Sequence, residues 1–200
     1  MAPFSEHLGL PPEEFGRLKP IFSSAKSKVL LVEGTIDKEY FEFFQSNQIA
    51  GEYLSKDIEV VPYGGKDTLK NTLLVQFVLR KFDRVFITYD ADADSEIRNP
   101  LGRLGLKPDN DFLPLGISQA GKDCIEGLLP KKVLDAVNGR ETDLVMKLGS
   151  RDNNERKKAK DALKKSYLTE FKASTDHQKD ELKDLVKAIK VINARLSDRG

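Results

Sequence analysis

The chain has 200 residues, 39% of them hydrophobic, which suffices for one domain with a real core and excludes a disordered polymer. Lys and Arg number 33 against 32 Asp and Glu, so the net charge of +1 carries no message about a polyanionic partner. The single cysteine, Cys124, excludes an internal disulfide and fits a reducing compartment, and no apolar run approaches the roughly 18 residues of a membrane span. The first residues, MAPFSEHLGLPPEEF, lack a basic flank followed by an apolar core, so no secretory signal and a cytoplasmic location are expected. Charge is unevenly distributed. Residues 151–200 hold 14 Lys and Arg against 9 Asp and Glu, which leaves 19 against 23 in residues 1–150.

In chain order, LGLPPEEFGRLKPIF predicts a short helix started by Pro12 and stopped near Pro20. SKVLLVEG is a continuous apolar run ending in Glu33-Gly34, as in a central parallel strand. TIDKEYFEFFQSN predicts a helix with Ile36, Tyr40, Phe43 and Phe44 along one face. DIEVVPYGG is a second strand. KDTLKNTLLVQFVLRK is a second helix, with Leu69, Leu73, Phe77 and Arg80 along its stripe. DRVFITYD is the third strand, SEIRNPLGRLG a weaker helix interrupted by Pro100, and DNDFLPLGIS a fourth strand containing Pro114. KDCIEGLLPKKVLDAVN supplies short helices around Pro130. After Ser150 two amphipathic stretches predict a helical hairpin, the second helix capped by Thr175 or Asp176, packed on the domain or on a partner.

This alternation predicts an α/β fold: a mainly parallel sheet with helices on both faces, followed by a C-terminal helical hairpin. The expected division is an N-terminal extension over residues 1–27, an α/β domain over 28–150 and the hairpin over 151–200. Ligands of such sheets bind outside the carboxyl ends of the strands, near a topological switch point. Glu33 ends the first strand and Asp37 follows near a helix start. Asp90, Asp92 and Asp94 follow the third strand. If the first and third strands are neighbours, these carboxylates converge. Two carboxylates about 4 Å apart repel by roughly 4 kcal/mol at an effective dielectric near 20. Such a cluster needs protons, water or a cation. Oxygen-only ligands suit Mg²⁺ or Mn²⁺; Zn²⁺ prefers His and Cys, which are nearly absent here.

LLVEG, a helix, a strand ending in GG, and then VFITYDADAD together resemble the Toprim domain shared by topoisomerases, bacterial primases, small RNA-maturing nucleases and OLD-family nucleases. The resemblance covers residues 28–130. Two segments resemble the OLD nucleases in particular: EGTID, with Glu33 and Asp37 spaced as their Glu-x-x-x-Asp, and AGKDCIEGLLP, similar to their later Lys and Ile-Glu segment. The ATPase domain that precedes the Toprim segment of OLD proteins has no counterpart in these residues, so a stand-alone unit is expected. Their Ser before the late Glu has no clear counterpart either; Ser118 is distant. The resemblance implies two-metal phosphodiester cleavage of DNA or RNA. Asp90 and Asp92 would bind metal with Glu33, and Asp37 and Glu126 would help a second ion. Lys122 would meet charge on the phosphate, with Glu33 and Lys122 as the catalytic residues.

Several of these residues have a plainer reading. Asp94 serves equally well as a helix N-cap or as a ligand. Asp37 also suits a helix N-terminus by charge alone. Gly64, Gly65 and Lys66 could cradle a phosphate at a helix start, though a strand-to-helix turn needs the glycines anyway. Two functional classes follow. One is a nuclease whose basic tail tracks nucleic acid. The other is a non-catalytic Toprim module that binds nucleic acid or a partner protein, with self-association through the C-terminal helices. A receiver-like phosphorylation domain fits less well, because it wants an acidic pair after the first strand.

Overall fold

Strand β1, Lys28–Val32, is buried from Val29 onward, and its side chains alternate between two faces. Leu30 and Val32 join one core with Val60 and Phe86. Val29 and Leu31 join a second with Val61, Ile87 and Tyr89. A strand that is apolar on both faces needs cover on both. The computed structural model, which describes residues 19–119, 121–174 and 177–197, supplies it.

Strands β1, β2 (Ile58–Pro62), β3 (Arg84–Asp90) and β4 (Phe112–Leu115) form one parallel sheet in the order β2-β1-β3-β4. Helix α1 (Lys19–Ser23) precedes β1, and α2 (Thr35–Ser46) joins β1 to β2. Helices α3 (Lys66–Lys70) and α4 (Thr72–Lys81) join β2 to β3, and α5 (Asp94–Arg103) joins β3 to β4. Then come α6 (Lys131–Arg140), α7 (Thr142–Lys147), α8 (Asn153–Ala173) and α9 (Lys183–Leu196). Helices α2, α8 and α9 cover the Leu30 face; α1, α4 and α5 cover the Val29 face. This is a Rossmann-like α/β fold with a C-terminal helical pair. Among the described residues no helix is long and apolar enough to cross a membrane.

The helical pair is part of the core. Phe171 of α8 is fully buried, with its ring 5.8 Å from those of Tyr40 and Phe43 and 6.3 Å from that of Phe44 on α2. The Tyr167 hydroxyl donates to Asn138 Oδ1 on α6 at 2.6 Å. Asn193 of α9 donates to the Tyr53 carbonyl at 2.7 Å and accepts from the Ser55 N–H at 3.0 Å.

Four local expectations are corrected. The single helix predicted after Gly65 is two helices, broken at Asn71, whose side chain accepts from the Leu74 N–H at 3.2 Å and starts α4 afresh. The break resets the helical phase, so Leu74, Val75 and Val78 are buried while Leu73 is 54% exposed. Pro100 does not interrupt α5; Ile97 and Leu101 anchor the helix to the core on either side of it. Helix α1 runs past Pro20, which its first turn tolerates because no N–H is needed there. The start predicted at Pro12 lies outside the described residues, as do Thr175 and Asp176; α9 begins at Lys183 after a 3₁₀ turn. Pro114 sits in β4 as expected, on an edge strand where a missing N–H is tolerated.

Candidate active site

The chain leaves β1 for β2 on one side and returns across it to β3 on the other, so the switch point lies between β1 and β3. Glu33 follows β1 and Asp90 ends β3, at the carboxyl ends of these two neighbours. The Asp90 backbone N–H donates to Glu33 Oε2 at 3.4 Å. Asp37 stands in the first turn of α2. Its Oδ2 accepts from the Gly34 N–H at 2.8 Å, closing the helix start and fixing the carboxylate, while Oδ1 accepts no hydrogen bond.

Glu126 comes from a loop pulled against the sheet. The Ala91 N–H donates to the Asp123 carbonyl at 2.7 Å, and the Ile117 N–H to the Lys122 carbonyl at 2.6 Å. Two glycines permit this approach. A Cβ on Gly116, whose φ is +104°, would lie 2.4 Å from the Asp123 carbonyl carbon; one on Gly127 would lie 2.3 Å from the Lys122 oxygen. The following 3₁₀ turn, Ile125–Leu128, buries Glu126, and neither carboxylate oxygen accepts a hydrogen bond.

Lys164 of α8 completes the group. Its Nζ lies 3.7 Å from Asp90 Oδ2 and 3.7 Å from Glu126 Oε2. These are ion-pair distances, too long for hydrogen bonds. Among the described residues the buried charged side chains are Asp37, Asp90 and Glu126, at 5%, 8% and 4% exposure. Four segments remote in sequence thus bring the buried carboxylates and one lysine to the switch point.

No family model, curated protein or solved structure matches this chain.

The electrostatics follow from burial and crowding. Burial first, then Asp37, Glu33 and Glu126, raise the Asp90 carboxyl to about 8, against the opposing pull of Lys164. Burial likewise raises Asp37 to about 6, with Lys164 opposing and Glu126 adding. Burial works against the Lys164 ammonium, but Glu126, Asp90 and Asp37 more than offset it and hold its pKa above the ordinary lysine range. Lys164 therefore stays charged. Burial also pushes up the Cys124 thiol, beside Glu126, so it is no thiolate nucleophile.

The other predicted site residues differ in their surroundings. Asp92 is exposed on the turn after β3, where its charge reaches Lys66. Asp94 accepts from the Tyr89 hydroxyl at 2.7 Å and from Arg98 at 3.0 and 3.1 Å, so both its oxygens are engaged. Lys122 holds the loop through its backbone while its side chain is exposed. Gly64 and Gly65 take φ of +90° and +113° in the turn after β2, and the Gly64 N–H donates to the Glu33 carbonyl at 3.0 Å. Lys66 and Lys70 grip Glu96 at 2.5 and 2.6 Å.

Sequence reading missed Lys164. Its only signal is a lysine four residues before Leu168 and seven before Phe171, on their buried face, within a run already rich in lysine. The buried Tyr40 hydroxyl, also without a hydrogen-bond partner, was equally unmarked.

Among the described residues no three His, Cys, Asp or Glu side chains form a preformed metal cluster. The donors nonetheless fit a hard divalent cation. They are all oxygen, and Asp37 Oδ1 and both Glu126 oxygens are buried acceptors without a hydrogen bond.

Proposed function

We propose that this chain performs divalent-metal-dependent phosphodiester cleavage on nucleic acid, as a Toprim-type nuclease resembling the OLD family. The observation that carries this reading is the convergence of the buried carboxylates Asp37, Asp90 and Glu126 on Lys164 at the switch point. Burying like charges together is costly, and folds keep such groups where function requires them. Asp90, Glu126 and Asp37, with Glu33 beside them, would hold Mg²⁺ or Mn²⁺. A bound divalent ion supplies Lewis-acid polarisation of a phosphate. Lys164, rather than Lys122, presents the ammonium that meets negative charge developing on phosphorus oxygens. The basic face of α8 leads from the site along the nucleic-acid backbone. A cytoplasmic setting belongs to this reading and fits a chain whose one cysteine, Cys124, is free and buried.

A second reading is a non-catalytic module that binds nucleic acid or a partner protein. Lys164 favours it in one respect, since an ammonium already spans Asp90 and Glu126. Labelled DNA and RNA, single- and double-stranded, incubated with Mg²⁺ or Mn²⁺ decide between the two. Cleavage by the wild type, reduced about 100-fold or more in a folded Asp90→Ala variant, is expected. Binding without cleavage selects the second reading. Cleavage indifferent to Asp90→Ala contradicts the first.

A further inference from the structure

A cavity of about 290 Å³ opens beside the carboxylate group. Two carboxylates, Asp123 and Glu126, and two lysines, Lys160 and Lys164, line it, with Leu148 and Tyr167 among its other walls. Its size and mixed lining suit one small amphipathic group. The Tyr167 ring is fixed by its hydroxyl bond to Asn138. Leu148 is 42% exposed and gives this wall an apolar surface open to solvent.

Helix periodicity places Lys157, Lys160, Lys164 and Tyr167 on one stripe of α8. Lys160 stands one turn, about 6 Å, from Lys164. That is comparable to the distance between neighbouring phosphates on one extended strand. Neither Lys157 nor Lys160 is held in an ion pair with a described carboxylate, unlike Lys172, which grips Glu39 at 3.0 Å on the same helix. A cationic track beside an apolar and aromatic pocket is how single strands are held: phosphates on the lysines, a base against the pocket wall. A base stacked in a duplex cannot enter such a cavity without leaving its partner.

We infer that this cavity is a subsite for one unpaired nucleotide, with the strand's phosphates running along α8 from Lys164 to Lys160 and Lys157. The inference rests on the phosphodiester reading and adds a preference for single-stranded or frayed nucleic acid over intact duplex.

The test is fluorescence anisotropy of the full chain with a labelled single-stranded oligothymidine and a duplex of equal length, with Ca²⁺ present to withhold cleavage. Variants are Lys160→Ala, Leu148→Glu and, as control on the opposite side of α8, Lys158→Ala, each checked for folding by circular dichroism. The single strand is expected to bind about tenfold tighter than the duplex. Lys160→Ala and Leu148→Glu each weaken it about fivefold, and Lys160→Ala lowers the salt slope by about 0.7. Lys158→Ala stays within about twofold. Equal or tighter duplex binding, no binding of either, or a Lys160→Ala that behaves like Lys158→Ala overturns the subsite. Single-strand preference lost with Lys160→Ala, but no hydrolysis in Mg²⁺, upholds the subsite and removes the nuclease. Hydrolysis of both substrates alike, untouched by Lys160→Ala, keeps the nuclease and removes the subsite.

Discussion

Lys164 differs from the other lysines of α8 in its surroundings. Its side chain is only 17% exposed and faces two buried carboxylates, whereas Lys157, Lys158, Lys160 and Lys165 are exposed. Lys122 matches the expected motif in sequence, yet the structure uses its carbonyl. Cleavage assays should separate the two. Lys164→Met, kept in Mg²⁺ to neutralise the carboxylates, is expected to lose about 100-fold or more in rate. Lys122→Ala is expected to stay within about threefold. The reverse order would return the role to Lys122. The same lesson applies to Asp94 and Lys66. Their residue types suit a metal or phosphate site, but Tyr89 and Arg98 engage one and Glu96 the other. Residue type and spacing are visible in a sequence; the partners that consume a charge are not.

The strands and helices were legible because their patterns are strong. Continuous apolar runs mark β1 and β3, and a stripe of Tyr40, Phe43 and Phe44 marks α2. The break at Asn71 was not legible, because an Asn inside an amphipathic run reads equally well as an exposed helical residue. The hairpin was expected on the domain or on a partner; which of the two holds could not be read, since the apolar stripe of a lysine-rich helix fits either. Phe171 settles its place. Phe171→Ala is expected to cost about 3–5 kcal/mol in urea denaturation, the price of a large aromatic removed from a packed core. A loss under about 1 kcal/mol would mean that α8 is only loosely attached, and Lys164 with it.

At the scale of the whole molecule, the sheet order β2-β1-β3-β4 makes the site. It sets Glu33 beside Asp90, and the covering helix and loop bring Lys164 and Glu126 from residues far along the chain. The parallel sheet was foreseeable from the alternation of elements; the pairing of Glu33 with Asp90 was conditional on β1 and β3 being neighbours, which the sheet order supplies. The lysine was not foreseeable, because it depends on which helix covers which face. Asp90 at about 8 and Asp37 at about 6 add a pH signature. A cation needs both as carboxylates, so protons compete with it below these values. Affinity should therefore rise with pH through the window from about 6 to about 8 and flatten above it. Lys164 remains charged throughout and adds no slope.

The decisive measurement is calorimetric titration of the full chain with Mg²⁺ and Mn²⁺ at pH 6 and pH 8.5, beside Asp90→Asn and Glu126→Gln. Binding that strengthens about tenfold or more between the two pH values, releases protons at pH 6 and is lost in both variants is the expected result. No binding to the wild type at pH 8.5, even with a nucleic acid strand present, would contradict a metal site and leave Lys164 as the only cation that the buried carboxylates serve.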